Sequence, residues 1–309
     1  MIGALIIDKP EGITSHDVVA RVRRATQIRR VGHAGTLDPF ATGVLVCCIG
    51  PATRLVQFLV GLDKEYEATV RLGYATDTQD RAGVQITPLR SSSELSIDDL
   101  QRVLNEFTGE QLQTPPMFSA KKVAGERLYK AAREGRHVER KAVNINVYSI
   151  ELLEDEVATL TDNEDGTRDF RVRLRCSSGT YIRTIAHDIG EKLGVGAHLT
   201  KLRRTKVGHF TLASALKLDE AERIGIDELN NALISPSDML SHLPAVGLNE
   251  EDTRRVINGR AVALAEQHST GDQQSAQFIR LCDSNGVLVA VGYSDPEEGP
   301  IKPSVVLVT

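Results

Sequence analysis

The chain has 309 residues, 41% hydrophobic, 26% charged and 4% aromatic with no Trp, enough for one large domain or a large one with a small companion. These figures exclude disorder, collagen-like repeats and coiled coil. Its longest nearly uncharged apolar stretch, Val44–Ile49, is far short of the ~20 residues of a membrane helix, and a net charge of −5 argues at first sight against a nucleic-acid partner.

In chain order, Ala4–Asp8 predicts a short strand ending at the turn Lys9-Pro10-Glu11-Gly12. Thr14 or Ser15 then caps a helix whose apolar side is Val18, Val19 and Val22. Gly32–Gly43, with three Gly and one Pro in twelve residues, reads as a loop. Val44–Ile49 follows as a buried strand and Ala52–Val60 as a short helix. Tyr66, Ala68, Val70, Leu72 and Tyr74 alternate with Glu65, Glu67, Thr69 and Arg71, the pattern of a half-buried strand. Ser96 and Asp99 open a helix over Leu100, Val103, Leu104 and Phe107. Thr114-Pro115-Pro116 then breaks the chain before a basic stretch from Lys121 to Lys141.

Further on, Phe170, Val172, Leu174 and Cys176 alternate with Arg171, Arg173 and Arg175, which sets three guanidiniums on one face of a strand. Ile182, Ile185, Ala186, Ile189 and Leu193 have helical spacing, ended by Gly194 and Gly196. Beyond Pro236 and Pro244 the chain turns acidic, and Phe278–Cys282, Val287–Val291 and Val305–Val308 read as short strands around Ser284-Asn285-Gly286. Strands and helices do not alternate regularly, so the fold class is α+β.

Partition changes what the net charge means. Residues 1–60 carry +3, 117–147 carry +5 and 168–213 carry +7, against −5 over 61–116, −7 over 148–167 and −8 over 214–309. Such runs fit either solvated faces or a basic groove for a polyanion on an otherwise acidic protein.

Motifs narrow the chemistry. His187, His198 and His209 lie eleven apart, which is no metal-ligand spacing, and neither a phosphate-binding glycine loop nor a nucleophile elbow occurs. No metal and no cofactor are expected, which leaves carboxylate and acid–base chemistry. Cys47, Cys48, Cys176 and Cys282 form no C-x-x-C pair, and the N-terminus has no signal-peptide pattern, so free thiols in a reducing cytoplasm are expected.

The segment GHAGTLDPFATGVL (Gly32–Leu45) holds an Asp before a Pro, framed by glycines that allow close backbone approach. Taken alone, Asp38-Pro39 is a turn in which Asp38 bonds its own backbone. The whole string, however, resembles the catalytic loop of the TruB-type tRNA pseudouridine synthases. Four further blocks resemble that family in the same order: DKPEGITSHDVV (Asp8–Val19), KEYEATVRLGYATDTQDRAG (Lys64–Gly83), TPPMFSAKKVAGERLYKAAREG (Thr114–Gly135) and Ser177–Phe210. Asn258-Gly259-Arg260-Ala261 and Ile301-Lys302-Pro303 are similar to its small PUA-like RNA-binding domain.

The resemblance implies a pseudouridine synthase fold: a mixed, mainly antiparallel sheet flanked by helices and loops, with a small β-rich PUA-like domain. The catalytic domain is expected over 1–240, with an RNA-contacting insertion around 76–145, and the small domain over 241–309. The implied reaction isomerises uridine 55 in the T-arm loop of tRNA, breaking N1–C1′ and joining C5 to C1′. By resemblance Asp38 is the essential carboxylate. Arg183 is its ion-pair partner, since a guanidinium favours the charged form of a buried acid. Tyr66 sets its ring against the flipped uracil, and Tyr181 packs or hydrogen-bonds beside the base. His33 contacts neighbouring RNA, and Lys9 and Lys64 support the loop or touch phosphate. Lys121, Lys122 and Arg127 of the insertion, with Leu202, Arg203 and Arg204, are implied to hold the stem-loop, whose target base must be flipped out.

The implied enzyme acts on the tRNA T-arm as a cytoplasmic monomer, with no membrane and no obligatory protein partner. The alternatives are a guide-RNA-dependent relative, a non-catalytic RNA-binding module, and a carboxylate glycosidase. Against the last, the Asp38 loop offers no second acid.

Overall fold

The computed structural model describes residues 1–309 except 120, 124, 137, 154–158, 264–276, 295–298 and 308–309. For 122, 123, 126, 127, 129, 130 and 133 it describes the backbone alone. The chain divides into two compact units, residues 1–39, 45–60 and 213–309 in one and residues 40–44 and 61–212 in the other.

In the first unit the strand Gly3–Lys9 pairs in parallel with Leu216–Lys217, Ile7 opposite Leu216. The helix Ser15–Thr26 starts at Thr14, whose hydroxyl accepts the Asp17 N–H while the Asp17 carboxylate accepts the Thr14 N–H. This reciprocal cap satisfies two N–H groups that a helix start leaves unpaired. Val18, Val19 and Val22 then bury against Leu5, Ile7, Leu45, Cys47 and Ile49. Val31–His33 is a short strand antiparallel to the end of Thr42–Ile49, with His33 opposite Cys47. The expected loop Gly32–Gly43 is therefore shorter at both ends than its Gly content suggested. The expected helix Ala52–Val60 is a 3-10 turn, Gly50–Leu55, running into one α-helical turn, Val56–Leu59.

The same unit contains a separate four-stranded sheet. Its strands lie in the order Ala245–Gly247, Gln277–Cys282, Leu288–Ser294, Lys302–Val306. It has its own core of Leu248, Val256, Val262, Ile279, Leu281, Val289, Ala290 and Ile301. Phe58 meets Phe278 edge-on at 4.9 Å, and Arg54 donates to the Val306 carbonyl.

The second unit is built on Lys64–Leu72, whose alternation buries Tyr66, Ala68, Val70 and Leu72. It pairs antiparallel with Arg168–Cys176 on one side and Ala197–Val207 on the other. Val143–Leu152 and Gly109–Gln113 extend the sheet. Thr42 and Gly43 add a parallel pair at Arg203 and Arg204. Helix Ile97–Glu106 carries the expected Ser96–Asp99 cap. That helix and the Gly109–Gln113 strand lie inside the segment expected as an insertion. The mixed, mainly antiparallel sheet and the separate small sheet agree with the expected fold.

Candidate active site

Asp38 is half-buried on the first unit's loop, and its position is built from its neighbours. Before it, the Ser15 hydroxyl accepts the Leu37 N–H at 2.9 Å and donates to the Leu37 carbonyl at 3.2 Å. After it, the Pro39 carbonyl accepts the Gly12 N–H at 2.8 Å and the Lys9 ammonium at 3.2 Å. Lys9 is fully buried and also donates to the Pro10 carbonyl. A buried ammonium demands such acceptors, because desolvation without them is costly. His33 stands nearby in sequence, half-buried, its ring T-shaped against His16 at 5.5 Å.

In the second unit Tyr66 is buried, with Leu174 opposite it on one neighbouring strand and Arg204 on the other. Arg204 is only 1% exposed, and its Nε donates to the Val44 carbonyl at 2.8 Å. It braces the sheet from inside, a position that its place in a basic run did not suggest. Gly43 makes the close approach possible: its φ is +104°, and a Cβ there would collide with the Arg204 backbone. Lys64 is also buried and donates to the Leu62 carbonyl. Burial first, and the Arg204 charge second, push its ammonium down to about 8.

Arg183, near the start of the helix Ile182–Lys192, is buried rather than on the surface, at 4% exposure. Its guanidinium donates to the Thr78 carbonyl at 2.9 Å and the Phe118 carbonyl at 2.8 Å, and faces the Asp80 carboxylate at 3.4 Å. Asp80 is itself buried and accepts from the Thr78 hydroxyl at 2.7 Å and the Ala82 N–H at 2.9 Å. The segment turns at Gln79, whose φ of +62° is rare for a residue with a side chain. The Gln79 side chain accepts the Thr184 hydroxyl proton at 2.9 Å, so the turn docks on the helix that carries Arg183. Tyr181, the N-cap of that helix, has both backbone groups bonded to the Gln113 amide, at 2.8 and 3.0 Å.

Among the other candidates, Lys121 is half-buried, whereas the side chains of Lys122 and Arg127 lie outside the described residues. Leu202 is buried, and Arg203 reaches the Thr42 hydroxyl at 3.3 Å. Asp80, Gln113 and Ser15 are the residues that sequence reasoning did not assign to the site. Asp80 lies within the Lys64–Gly83 block that resembles the family, but its local pattern, a second Asp in the polar run Thr76-Asp77-Thr78-Gln79-Asp80, reads equally well as a turn.

A chain of a Cbf5-Nop10-Gar1 complex aligns with TM-score 0.73 and 28% identity over 99% of this chain and 84% of its own. A chain of an archaeal box H/ACA Nop10-Cbf5 complex aligns with TM-score 0.72 and 26% identity, over 99% and 86%. The fold is thus that of a pseudouridine synthase.

The model of the TruB family pseudouridylate synthase N-terminal domain matches residues 23–182, and that of the tRNA pseudouridylate synthase B C-terminal domain matches residues 183–240. The tRNA pseudouridine synthase B of Solibacter usitatus is 42% identical over 94% of this chain and 95% of its own length. That of Aquifex aeolicus is 43% identical over 93% and 96%. The chain belongs to the TruB family of pseudouridylate synthases.

Proposed function

We propose that this chain is a tRNA pseudouridine synthase that isomerises uridine 55 in the T-arm loop, as a cytoplasmic monomer needing no cofactor and no protein partner. The observation that carries the reading is the pair of adjoining family matches over residues 23–240, which contain Asp38, Tyr66, Tyr181 and Arg183. The reaction breaks N1–C1′, turns the uracil and forms C5–C1′. The proton on C5 leaves and one is taken up at N1, so nothing is oxidised or hydrolysed.

In this reading Asp38 is the carboxylate that acts on the nucleotide, and Tyr66 offers its ring to the extruded base and its hydroxyl to proton transfer. Arg183 supplies fixed positive charge, and His33, Lys121, Lys122, Arg127 and Arg203 contact RNA around the target. We assign residues 1–240 to catalysis and 241–309 to the small domain.

A guide-RNA-dependent enzyme is the second reading, favoured by the likeness to the Cbf5 chains. The higher identity to the tRNA pseudouridine synthase B relatives, 42% against 28%, ranks it below the first. Purified protein and a T-arm stem-loop transcript labelled with tritium at uracil C5 separate the two. Tritium release without any added component supports the first reading, and release only with a guide RNA and partner proteins supports the second. Asp38→Asn, which keeps the shape of the side chain, should lower the rate by roughly 10³-fold or more while the transcript still binds. An unchanged rate would remove Asp38 from the chemistry.

A further inference from the structure

We infer that Ser15 is a positioning residue for Asp38, acting through the peptide group that joins Leu37 to Asp38. The inference rests on the reading of Asp38 as the reacting carboxylate.

Ser15 has no duty as a helix cap. Thr14 occupies that position and its exchange with Asp17 is complete, so the cap needs nothing from the next residue. The Ser15 side chain is instead turned inward, with 1% of the residue exposed, and its one oxygen is used in both directions on Leu37. It accepts the Leu37 N–H and donates to the Leu37 carbonyl, so a single side-chain atom satisfies both backbone polar groups of a buried residue.

That carbonyl belongs to the planar unit that includes the amide nitrogen and Cα of Asp38. Fixing its oxygen therefore fixes the plane from which the Asp38 side chain departs. On the other side of Asp38, the Pro39 carbonyl is held by Gly12 and Lys9. Pro39 also restricts Asp38 to extended backbone angles. Asp38 hangs between two anchored peptide groups. The first anchor stands in the opening turn of a twelve-residue helix whose valines are in the core, so the reference point is rigid.

Positioning has a kinetic signature. Displacing a reacting group by about 1 Å can cost on the order of 10²-fold in rate even when the mutated residue is remote from the chemistry. Ser15→Ala would leave the Leu37 N–H and carbonyl buried without this partner and free the plane to rotate.

The test measures single-turnover conversion of a full-length tRNA transcript at saturating enzyme, with transcript affinity determined separately by filter binding. Ser15→Ala is expected to lower the rate constant at least fivefold, and on the order of 30-fold, with affinity within twofold of the wild type. Thr14→Ala removes the adjacent cap without touching Leu37 and serves as the stability control. At a temperature where melting curves show both variants folded, it is expected to retain the wild-type rate. If Ser15→Ala does not fold, Ser15→Cys, close in volume but a weak hydrogen-bond donor, is measured in its place against the same fivefold criterion.

A loss below fivefold overturns the inference, and so does an equal loss in Thr14→Ala. Asp38→Asn is assayed in parallel. If it turns over normally, the reading of Asp38 has failed, whereas normal turnover in the Ser15 variant with a dead Asp38→Asn refutes the positioning role alone.

Discussion

Asp38 in the first unit and Arg183 in the second are both held in place, by opposite means. The bonds from Ser15, Gly12 and Lys9 hold the backbone of Leu37 and Pro39, not the Asp38 carboxylate. Arg183 is gripped by its own head group, through two carbonyls and a buried carboxylate. The first unit thus spends neutral polar groups and one ammonium on a loop, while the second buries Arg183, Asp80, Arg204 and Lys64 within one sheet-and-helix body. Loss of the neutral groups that anchor the first half should act as lost geometry and be flat in pH. Damage to the second half should act as uncompensated charge.

The largest effect is expected at Asp80. Asp80→Asn keeps the side chain's shape but removes the negative charge facing Arg183, whose side chain is 5% exposed. Removing one partner of a buried pair typically costs roughly 3–5 kcal/mol, because the other charge stays behind. Chemical denaturation should show a loss of that order, and tritium release should fall with it in the surviving folded fraction. A variant as stable and active as the wild type would mean that Arg183 does not depend on Asp80, and the contrast between the two halves would fail.

How far the sequence discloses this division depends on how local each feature is. The Ser96–Asp99 cap and the Tyr66 alternation are local patterns; the cap stands in the structure as read, and the alternation does so up to Leu72, with Tyr74 beyond the strand. The eleven-residue strand Ala197–Val207 is not visible by periodicity, because its register shifts between Leu199 and Lys201 and again between Arg204 and Lys206. Each shift breaks the two-residue repeat on which strand recognition depends. Arg204 consequently reads as part of an exposed basic run when its side chain is in the core. Thr14 and Ser15 are equally good caps by residue type, and only the fold decides that one caps while the other reaches Leu37. Asp80 and Arg183 are 103 residues apart, and a pairing at that range leaves no trace in a single sequence.

A second, smaller break in the comparison is available at Gly43, where the second unit depends on backbone geometry as the first does. Gly43→Ala would place a Cβ against the Arg204 backbone at a φ of +104°. Strain of this kind is worth roughly 2–3 kcal/mol. The loss should be insensitive to pH, since no charge is removed. A neutral outcome in thermal melts would show that the Arg203–Arg204 strand can move away, and that the brace on Val44 is looser than its 2.8 Å bond implies.

Lys64 offers the smallest and most specific contrast. Its ammonium is pushed down to about 8 from 10.5 by burial and by Arg204. Below that lowered value both the folded and the unfolded chain hold the proton, and the full penalty of a buried charge opposes folding. Between the two values the unfolded chain keeps a proton that the fold has released, so this group's contribution to stability improves as pH rises. Lys64→Met removes the titration. Relative to the wild type, the variant should lose ground between about pH 7.5 and about pH 9 by at most about 2 kcal/mol. Ser15→Ala, measured in the same way, should hold a constant offset across that window, because it changes no charge. Parallel curves for Lys64→Met and the wild type would mean that Lys64 keeps its proton throughout that window.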